Sequence, residues 1–459
     1  MTTTIPTPIE LEPGLKDLHD KYVALQSSLR EKRTMLEGRV NLGRSFSIPS
    51  QLRRSLASRS GIAAMVIDLL AARIVYQGVN VPEEADLGFD IVGALDDSDF
   101  DSVATLLIQD ALVYGAGFCL VSRDDAGPVY TAIPPTQIFA EFSAMTRRIT
   151  RALVATDDML SIYTESEVTY YARHKNGVEV IGTEELSGMP IVPIFNTSSS
   201  MQMGKSELTS GVRDAITEYS RITMRKAAAE ELYSSLDATI LGGDPDLLID
   251  ESGNPTSVFS ALMGQTRQIP QQMVDERTGE LGSVPQLSYA PQRDPEPFIK
   301  ALDHKMIEIG NLVGIPSYLL VDSSTSAEKA AMQEQRLIRG SEQRISAMRR
   351  GLKGIVLETL RQELGVIPDS ARQITISFAS PSTPTASAAA DASLKWVQAG
   401  VMSPESAVLL GKIGLTPEEV ETIRRERAEN RGTSVLERIR SAQNGSDNTE
   451  VTADATDID

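Results

Sequence analysis

Three consecutive residues, Gly204, Lys205 and Ser206, match the end of the loop that cradles phosphates in nucleotide-binding proteins. Such a loop also needs a glycine five positions before Gly204, where Ser199 stands. Ser206 equally fails as the serine of a nucleophile elbow, because that turn requires glycine where Leu208 stands. The sequence therefore predicts neither a nucleotide site nor an activated serine.

Thiol and imidazole groups are too few for the common metal and redox sites. Cys119 is the only cysteine, and the histidines are His19, His174 and His304. One cysteine excludes a disulfide within the chain and leaves a cysteine–histidine zinc site short of ligands. Cys119 lies in the apolar run GFCLV, which predicts a small core residue. We expect no metal, no cofactor and no enzymatic activity.

His304 precedes Lys305 on a predicted helix and is open to two interpretations. It is either a general base or a solvated or subunit-contacting histidine. No partner motif accompanies it, and this favours the second interpretation.

The chain has 459 residues, of which 41% are hydrophobic and 23% charged, and its formal net charge is −19. This length predicts roughly two to four packed units. Proteins that bind nucleic acid are usually basic, because cationic side chains release counterions from phosphates. The negative net charge therefore argues against tight binding to DNA. It is compatible with a conduit that repels DNA weakly, and also with simple solubility.

Membrane and export signals are missing from the sequence. No stretch approaches the roughly 20 apolar residues that cross a bilayer. The N-terminus also lacks the basic start and apolar block of a signal peptide. We expect no membrane association, and a protein made and kept in a cytoplasm or in a particle assembled there.

Helical and β-rich segments occur in separate blocks, which predicts an α+β fold. An amphipathic helix is predicted over 15–36, and further helices over about 61–75 and 99–114. Between 117 and 182, short β-rich runs separated by turn residues leave no room for crossover helices, so the sheet should be an antiparallel meander. The residues that define the buried stripe of the first helix are Leu15, Leu18, Tyr22, Leu25 and Leu29.

Two predicted helices flank a segment rich in breakers. The first runs over 206–240 and the second over 295–314, and the segment between them, 242–294, is punctuated by glycine and proline. The second helix has an apolar face. Its members are Phe298, Leu302, Ile309 and Leu312.

A very long helix is predicted over 326–364. Thr325 and Glu328 have the spacing of a capping box, which would place the start of that helix at Thr325. A short strand, QITISFA, and a Pro/Ser linker follow, and then a helical unit at about 386–441. The last 18 residues hold five acidic residues and no basic one, and they should be disordered.

Six segments carry motif-like patterns along the chain. They are the helix from Tyr22 to Glu37-Gly38, IAAMVIDLLAARIVYQGVNV at 62–81, the stretch 111–142, LSGMPIVPIFN at 186–196, GKSEL at 204–208 and VGIPSYLLVDSSTSAEKAAMQEQRL at 313–337. In kind and order they resemble segments of the portal proteins of siphoviruses, the long-tailed bacteriophages, over roughly residues 15–440. GKSEL is similar to the family's helix opener. Lys329 departs from the pattern, which has a small residue there.

The resemblance implies a portal subunit with a wing, a two-helix stem, a small α/β clip and a helical crown. Its regions would be a disordered N-terminus at 1–14, the first part of the wing at 15–205, the first stem helix at 206–241, the clip at 242–294, the second stem helix at 295–313, the tunnel loop at 314–326, the long helix and strand of the wing at 327–385, the crown at 386–441 and a disordered acidic tail at 442–459.

The resemblance also implies a function and a set of partners. The subunit would form a homo-oligomeric ring of about 12 copies at the portal vertex of the virion, assembled in the host cytoplasm. Double-stranded DNA would pass through its channel without sequence specificity, on packaging and again on ejection. The ring would contact the major capsid and scaffold proteins and dock the terminase, then the head–tail adaptor.

Three groups of site residues follow from these assignments. The tunnel-loop residues are Val321, Asp322, Ser323, Ser324, Thr325 and Ser326; the stem residues are Arg221, Arg225, Lys300 and His304; the clip residues facing terminase and adaptor are Arg267, Gln271 and Gln272. On turn chemistry alone, without the resemblance, an ordinary exposed helix cap is the favoured interpretation of the loop. The stem charges are either a solvated surface or pairs between subunits.

Two other functions stand beside the portal. A helical scaffold or minor capsid protein would need neither the meander nor the helix pair around an insert. An unrecognised hydrolase would need a catalytic arrangement that none of the tested motifs provides.

Overall fold

The computed structural model describes residues 13–40, 42, 60–82, 85–125, 127–174, 177–197, 204–234, 238–241, 279, 286–289, 296–321 and 326–382, with 394–395, 397–400, 422 and 425 beyond them. The chain divides into two units, Met1–Pro381 and Ser382–Asp459. Every helix and strand named below lies in the first. Most of the predicted helical unit at 386–441 and all of the acidic tail fall outside the described residues, as do residues 1–12.

The first unit contains helices and strands in the blocks that the sequence predicts. The helices are α1 (Pro13–Leu36), α2 (Ile62–Ala71), α3 (Ile91–Asp97), α4 (Phe100–Tyr114), α5 (Ser210–Ser234), α6 (Glu296–Val313) and α7 (Ala327–Leu364). The strands are β1 (Tyr76–Asn80), β2 (Ala116–Arg123), β3 (Pro128–Ile133), β4 (Ile138–Phe142), β5 (Ile149–Ala155), β6 (Met159–Tyr163), β7 (Glu167–His174), β8 (Gly177–Glu185), β9 (Ile191–Phe195), β10 (Ala238–Leu241), β11 (Gln286–Tyr289) and β12 (Thr375–Phe378).

All strand pairs are antiparallel in the described residues, which confirms the mixed fold and the meander. Strands β4 to β8 form a five-stranded sheet in sequence order, and β3, β2 and β9 form a three-stranded sheet. The short connections make this arrangement necessary, because neighbouring strands joined by tight turns can only run in opposite directions. Strands β1 and β12 also pair, although almost 300 residues separate Val79 from its partner Ile376.

The three-stranded sheet separates two hydrophobic clusters. Cys119 and Val121 on one face of β2 belong to the main core, with residues of α2, α4 and α7. Phe118 lies on the other face with residues of the five-stranded sheet. Helix α4 packs closely on β2: a Cβ at Gly117 would lie only 2.5 Å from the Leu107 carbonyl oxygen. Glycine is therefore the residue that permits this contact.

Helix α1 lies against the five-stranded sheet. Leu15 and Leu18 are buried with Leu153 and Tyr171, as the predicted stripe requires. Leu25, which the stripe also included, is 42% exposed, whereas the next residue, Gln26, is buried and donates to the Thr136 carbonyl.

Helix α7 spans 38 residues, about 57 Å at the α-helical rise. The prediction of its extent is confirmed, but the predicted cap is wrong by one residue. Ser326, not Thr325, is the N-cap, and its hydroxyl accepts a hydrogen bond from the amide of Lys329. Gly365, at φ +74°, ends the helix in the left-handed conformation that favours glycine.

Candidate functional site

Helices α5 and α6 form a pair that runs from the core outward. The start of α5 and the end of α6 share the main core through Val212, Ile216, Ile309 and Val313. Farther along the pair, the Lys305 ammonium lies 2.6 Å from a carboxylate oxygen of Glu218 on α5. The two helices therefore run in opposite directions and are joined by a charged contact as well as by apolar packing.

Lys305 makes a second ion pair within its own helix. Its ammonium lies 2.7 Å from a carboxylate oxygen of Glu308. The hydrogen bonds to Glu218 and then to Glu308 raise the pKa of Lys305 above its usual value. The lysine is therefore charged at neutral pH, where it can pair with both carboxylates.

Strands β10 and β11 join the outer ends of this helix pair. Ala238 is paired with Tyr289, and Leu241 with Gln286. The insert between the strands therefore leaves and returns at neighbouring positions, which lets it form a lobe of its own. The predicted helix over 206–240 is corrected here, because α5 ends at Ser234 and the β-branched run that follows forms β10. The predicted clip residues Arg267, Gln271 and Gln272 lie outside the described residues.

The chain turns sharply between α6 and α7. Gly314, at φ +86°, donates to the carbonyl of Gly310, and Ile315 donates to the same carbonyl. A Cβ at Gly310 would lie 2.9 Å from the Ile315 carbonyl oxygen and 2.5 Å from a methyl carbon of Leu320. This turn brings the chain back against its own helix.

A short 3₁₀ turn, Ser317–Leu319, then docks on the start of α7. The Tyr318 hydroxyl donates to the Glu334 carboxylate, and the Ser317 hydroxyl contacts the Gln333 side chain. Val321 is half-buried and Ser326 is exposed. The other predicted tunnel-loop residues, Asp322, Ser323, Ser324 and Thr325, lie outside the described residues. Both ends of this four-residue segment are thus anchored on α7.

The four predicted stem residues are all exposed. Arg221 and Arg225 lie on α5 and make no ion pair with any described residue. Lys300 pairs with Glu296 on its own helix at 2.8 Å, and His304 lies one turn farther along. The structure places them on the surface of the helix pair, apart from the tunnel-loop residues Val321 and Ser326.

A charged network that the sequence did not predict supports the start of α5. The Arg344 guanidinium on α7 donates to both carboxylate oxygens of Glu207, at 2.7 and 2.9 Å. The Asn196 amide donates to the same carboxylate at 2.8 Å. Both charged side chains are nearly buried, at 10% and 12% exposure. Glu207 belongs to the GKSEL motif, which the sequence analysis identified. The sequence around it gives no sign of a partner 137 residues away.

The rest of GKSEL explains why it is not a phosphate-binding loop. The Ser206 hydroxyl donates to the Val113 carbonyl and accepts from the Leu208 amide. A Cβ at Gly204 would lie 2.0 Å from the Gly115 carbonyl oxygen, so the two glycine backbones are in contact. This segment joins α4 to α5 by packing and leaves no cradle for an anion.

The described part of the chain contains no cluster of histidine, cysteine and carboxylate side chains suitable for a metal. Cys119 is fully buried, as predicted, and burial raises the pKa of its thiol to about 12. None of the helices among the described ranges combines the length and hydropathy that crossing a bilayer takes.

Comparison with known proteins identifies the class. The sequence model of the SPP1 Gp6-like phage portal proteins matches residues 79–433, well over half of the chain, so this chain belongs to the phage portal protein family, a family of virion structural proteins. The portal proteins of Mycobacterium phages D29 and L5 are each 26% identical to it over 373 residues, which cover 76% of this chain and 74% of theirs.

Similar solved structures come from gene transfer agent particles. A chain in the neck of the empty particle, computed with C6 symmetry, has a TM-score of 0.46 and 14% identity, over 83% of this chain and 96% of that chain. A chain in the neck of the native particle, computed with C12 symmetry, has a TM-score of 0.42 and 13% identity, over 85% and 99% of the two chains.

Proposed function

We propose that this chain is the subunit of a portal ring through which double-stranded DNA enters a phage head and later leaves it. The observation that carries the proposal is the α5–α6 pair, which is anchored in the core at one end and bears an insert closed by β10 and β11 at the other. A wall built from such pairs is complete only when copies close around an axis.

The channel lining follows from the same arrangement. The turn between α6 and α7 would present Asp322, Ser323, Ser324 and Thr325 to the bore, flanked by Val321 and Ser326. Small acidic and hydroxyl side chains keep a channel hydrated without binding phosphates. The net charge of −19 per chain repels DNA from the wall and keeps it near the axis. DNA would pass without sequence-specific contacts.

The remaining regions would meet other proteins of the particle. The insert after β10 would contact the terminase during packaging and then the head–tail adaptor, through residues such as Arg267, Gln271 and Gln272. The unit at 386–441 would form a crown inside the head. The α/β body, which is the predicted wing at 15–205 and 327–385, would meet the major capsid and scaffold proteins at the vertex.

End-on imaging of the purified full-length protein tests the ring. We expect class averages with a central hole and a fixed number of subunits, about 12. Particles that remain single chains or open fibres at low, intermediate and high salt would contradict the proposal.

Deletion of the insert separates a portal from a scaffold. Because Leu241 and Gln286 are paired neighbours, residues 242–285 can be replaced by an Asn-Gly turn that closes a β-hairpin. For a portal, the shortened protein should still form rings but lose binding to terminase and adaptor. For a scaffold or minor capsid protein, head assembly and DNA filling should proceed as before.

A further inference from the structure

The outward face of α7 carries an exposed stripe of basic, polar and apolar side chains. The α7 stripe consists of Met332, Arg336, Arg339, Gln343, Ser346 and Arg350. Alternating steps of four and three place these residues on one line, directly opposite the buried face that includes Met348 and Leu352. The stripe is about 27 Å long, at 1.5 Å per residue.

Two arginines of the stripe have no partner among the described residues. Arg339 and Arg350 make no ion pair or hydrogen bond there, and Arg336 donates only to the Asn311 carbonyl. Three other cations of α7 do have partners: the Arg344 guanidinium pairs with Glu207, Arg361 pairs with Glu358, and Lys353 donates to a carbonyl. The stripe therefore carries three arginines that have no acidic partner among the described residues.

Apolar side chains and two clefts accompany these charges. Met332 is 74% exposed, and Leu312, predicted to lie on the buried face of α6, is 52% exposed beside it. A cleft of about 480 Å³ lies between the end of α6 and the stripe. A groove of about 720 Å³ is lined by Arg350 and by Arg148, among other residues. Such a mixed surface is typical of a protein–protein interface.

The same unit carries a surface of opposite charge. Residues 74–122 contain nine acidic residues and no lysine or arginine. The α3–α4 surface consists of the exposed residues Val92, Asp96, Asp97, Asp99, Asp101 and Leu106. Desolvation, and then the nearby Asp96 and Asp99, raise the pKa of Asp101. Its four carboxylates make no ion pair with any described residue, so they repel one another without compensation.

The two surfaces do not neutralise each other within one chain. Gly88, just before α3, lies beside Leu364 at the C-terminal end of α7. The stripe ends at Arg350, 14 residues or about 21 Å back along the helix. Two complementary surfaces at different places on one molecule are what a head-to-tail contact between copies requires.

We propose that the α7 stripe of one subunit docks on the α3–α4 surface of the next copy of this chain in the portal ring. The proposal rests on the proposed function and names the contact that closes the ring. DNA is the other polyanion that could meet these arginines. It explains neither the exposed Met332 and Leu312 nor the acidic and apolar surface that matches them.

A charge exchange between two variants tests this contact. Variant one carries Arg339→Glu and Arg350→Glu, and variant two carries Asp96→Lys and Asp97→Lys, where lysine suits the last turn of α3. Alone, each variant brings like charges together and should lower the ring fraction by about tenfold or more at fixed concentration. Mixed in equal amounts, they should form rings in which the two variants alternate. Native mass spectrometry should then find an even total number of subunits, with equal numbers of the two variants.

Matched controls reverse the same charges elsewhere. Arg372→Glu and Asp157→Lys change exposed residues outside both surfaces and should leave ring formation unchanged. Circular dichroism of every variant confirms that the chain is folded before assembly is scored.

The remaining outcomes contradict the proposal in different ways. If variant one forms rings as the unaltered chain does, the stripe is not an interface; weaker retention of DNA by those rings would assign it to DNA. If the mixture fails to restore rings, the α3–α4 surface is not its partner. An unaltered chain that never forms rings would overturn the proposed function as well as this contact.

Discussion

The α/β body and the α5–α6 pair differ in how much of their own structure they bury. Every strand of the three-stranded sheet contributes to both hydrophobic clusters, and α4 alone buries Phe100, Leu107 and Leu112. In α6, the described buried residues are confined to its last five positions. The body buries side chains on most of its elements, whereas the outer part of the helix pair buries little: α6 contributes no buried residue among those described there, and α5 buries Met224 and Ala228, with Leu42 against them. An element exposed in this way is stable in a protein that assembles, because neighbouring copies supply the missing surface.

The join between the two regions is where the largest effect is expected. Gly204→Ala would place a Cβ 2.0 Å from the Gly115 carbonyl oxygen, and neither backbone can yield. We expect the free energy of unfolding to fall by about 3 kcal/mol or more in urea titrations. Gly211, seven residues away on α5, has nothing within 4 Å of its Cβ position. Gly211→Ala should leave stability unchanged or slightly higher, and equal losses would show that the close contact is not the cause.

The second largest effect is expected from the charged network at the same join. Glu207→Ala leaves the Arg344 guanidinium nearly buried without its carboxylate, which should cost about 2–3 kcal/mol of unfolding free energy. Replacing both partners, with Glu207→Leu and Arg344→Met, should cost less than the single change. A double variant less stable than Glu207→Ala would mean that the pair contributes net stability beyond avoiding an unpaired charge.

Within the body, Asp110 provides a test by pH. Burial raises the pKa of this carboxyl on α4 to about 7, from 3.8. The folded state therefore binds more protons than the unfolded state between about pH 4 and 7, and this group lowers stability as pH rises through that range. Asp110→Asn should stabilise the protein at pH 8 by about 1–2 kcal/mol and hardly at all at pH 4. Equal shifts at both pH values would contradict a buried carboxyl.

The sequence predicts the two regions unequally well, for physical reasons. Helix α7 and the meander are determined by local periodicity and turns, and both are confirmed. The end of α5 is not determined by local sequence in this way, because the residues from Ser234 to Asp237 neither stop a helix nor favour a strand. The strand β10 that follows is paired with β11, a contact between distant segments. Leu312 fits the apolar face of α6 by spacing, yet it is exposed beside α7.

Contacts between distant segments escape sequence reasoning altogether. The pairing of β1 with β12 and the bond between Glu207 and Arg344 depend on how the chain folds back, which spacing does not encode. For the candidate site, the sequence predicted the helix pair and the turn into α7. It did not predict the network that holds that pair to the body.

The smallest predicted effect concerns the outer part of the helix pair. Lys305→Ala removes the ion pair to Glu218 that joins α6 to α5, but it leaves the shared core of Ile216 and Ile309 intact. Amide hydrogen exchange should become faster in α6 around residue 305, while the midpoint of global unfolding stays nearly constant.

Lys300→Ala is the matched control, because its pair with Glu296 lies on the exposed surface of one helix and contributes little. Similar exchange in both variants would mean that apolar packing alone holds the pair together. Protection of the same amides in assembled rings of Lys305→Ala would show that neighbouring copies cover the outer part of the helix pair.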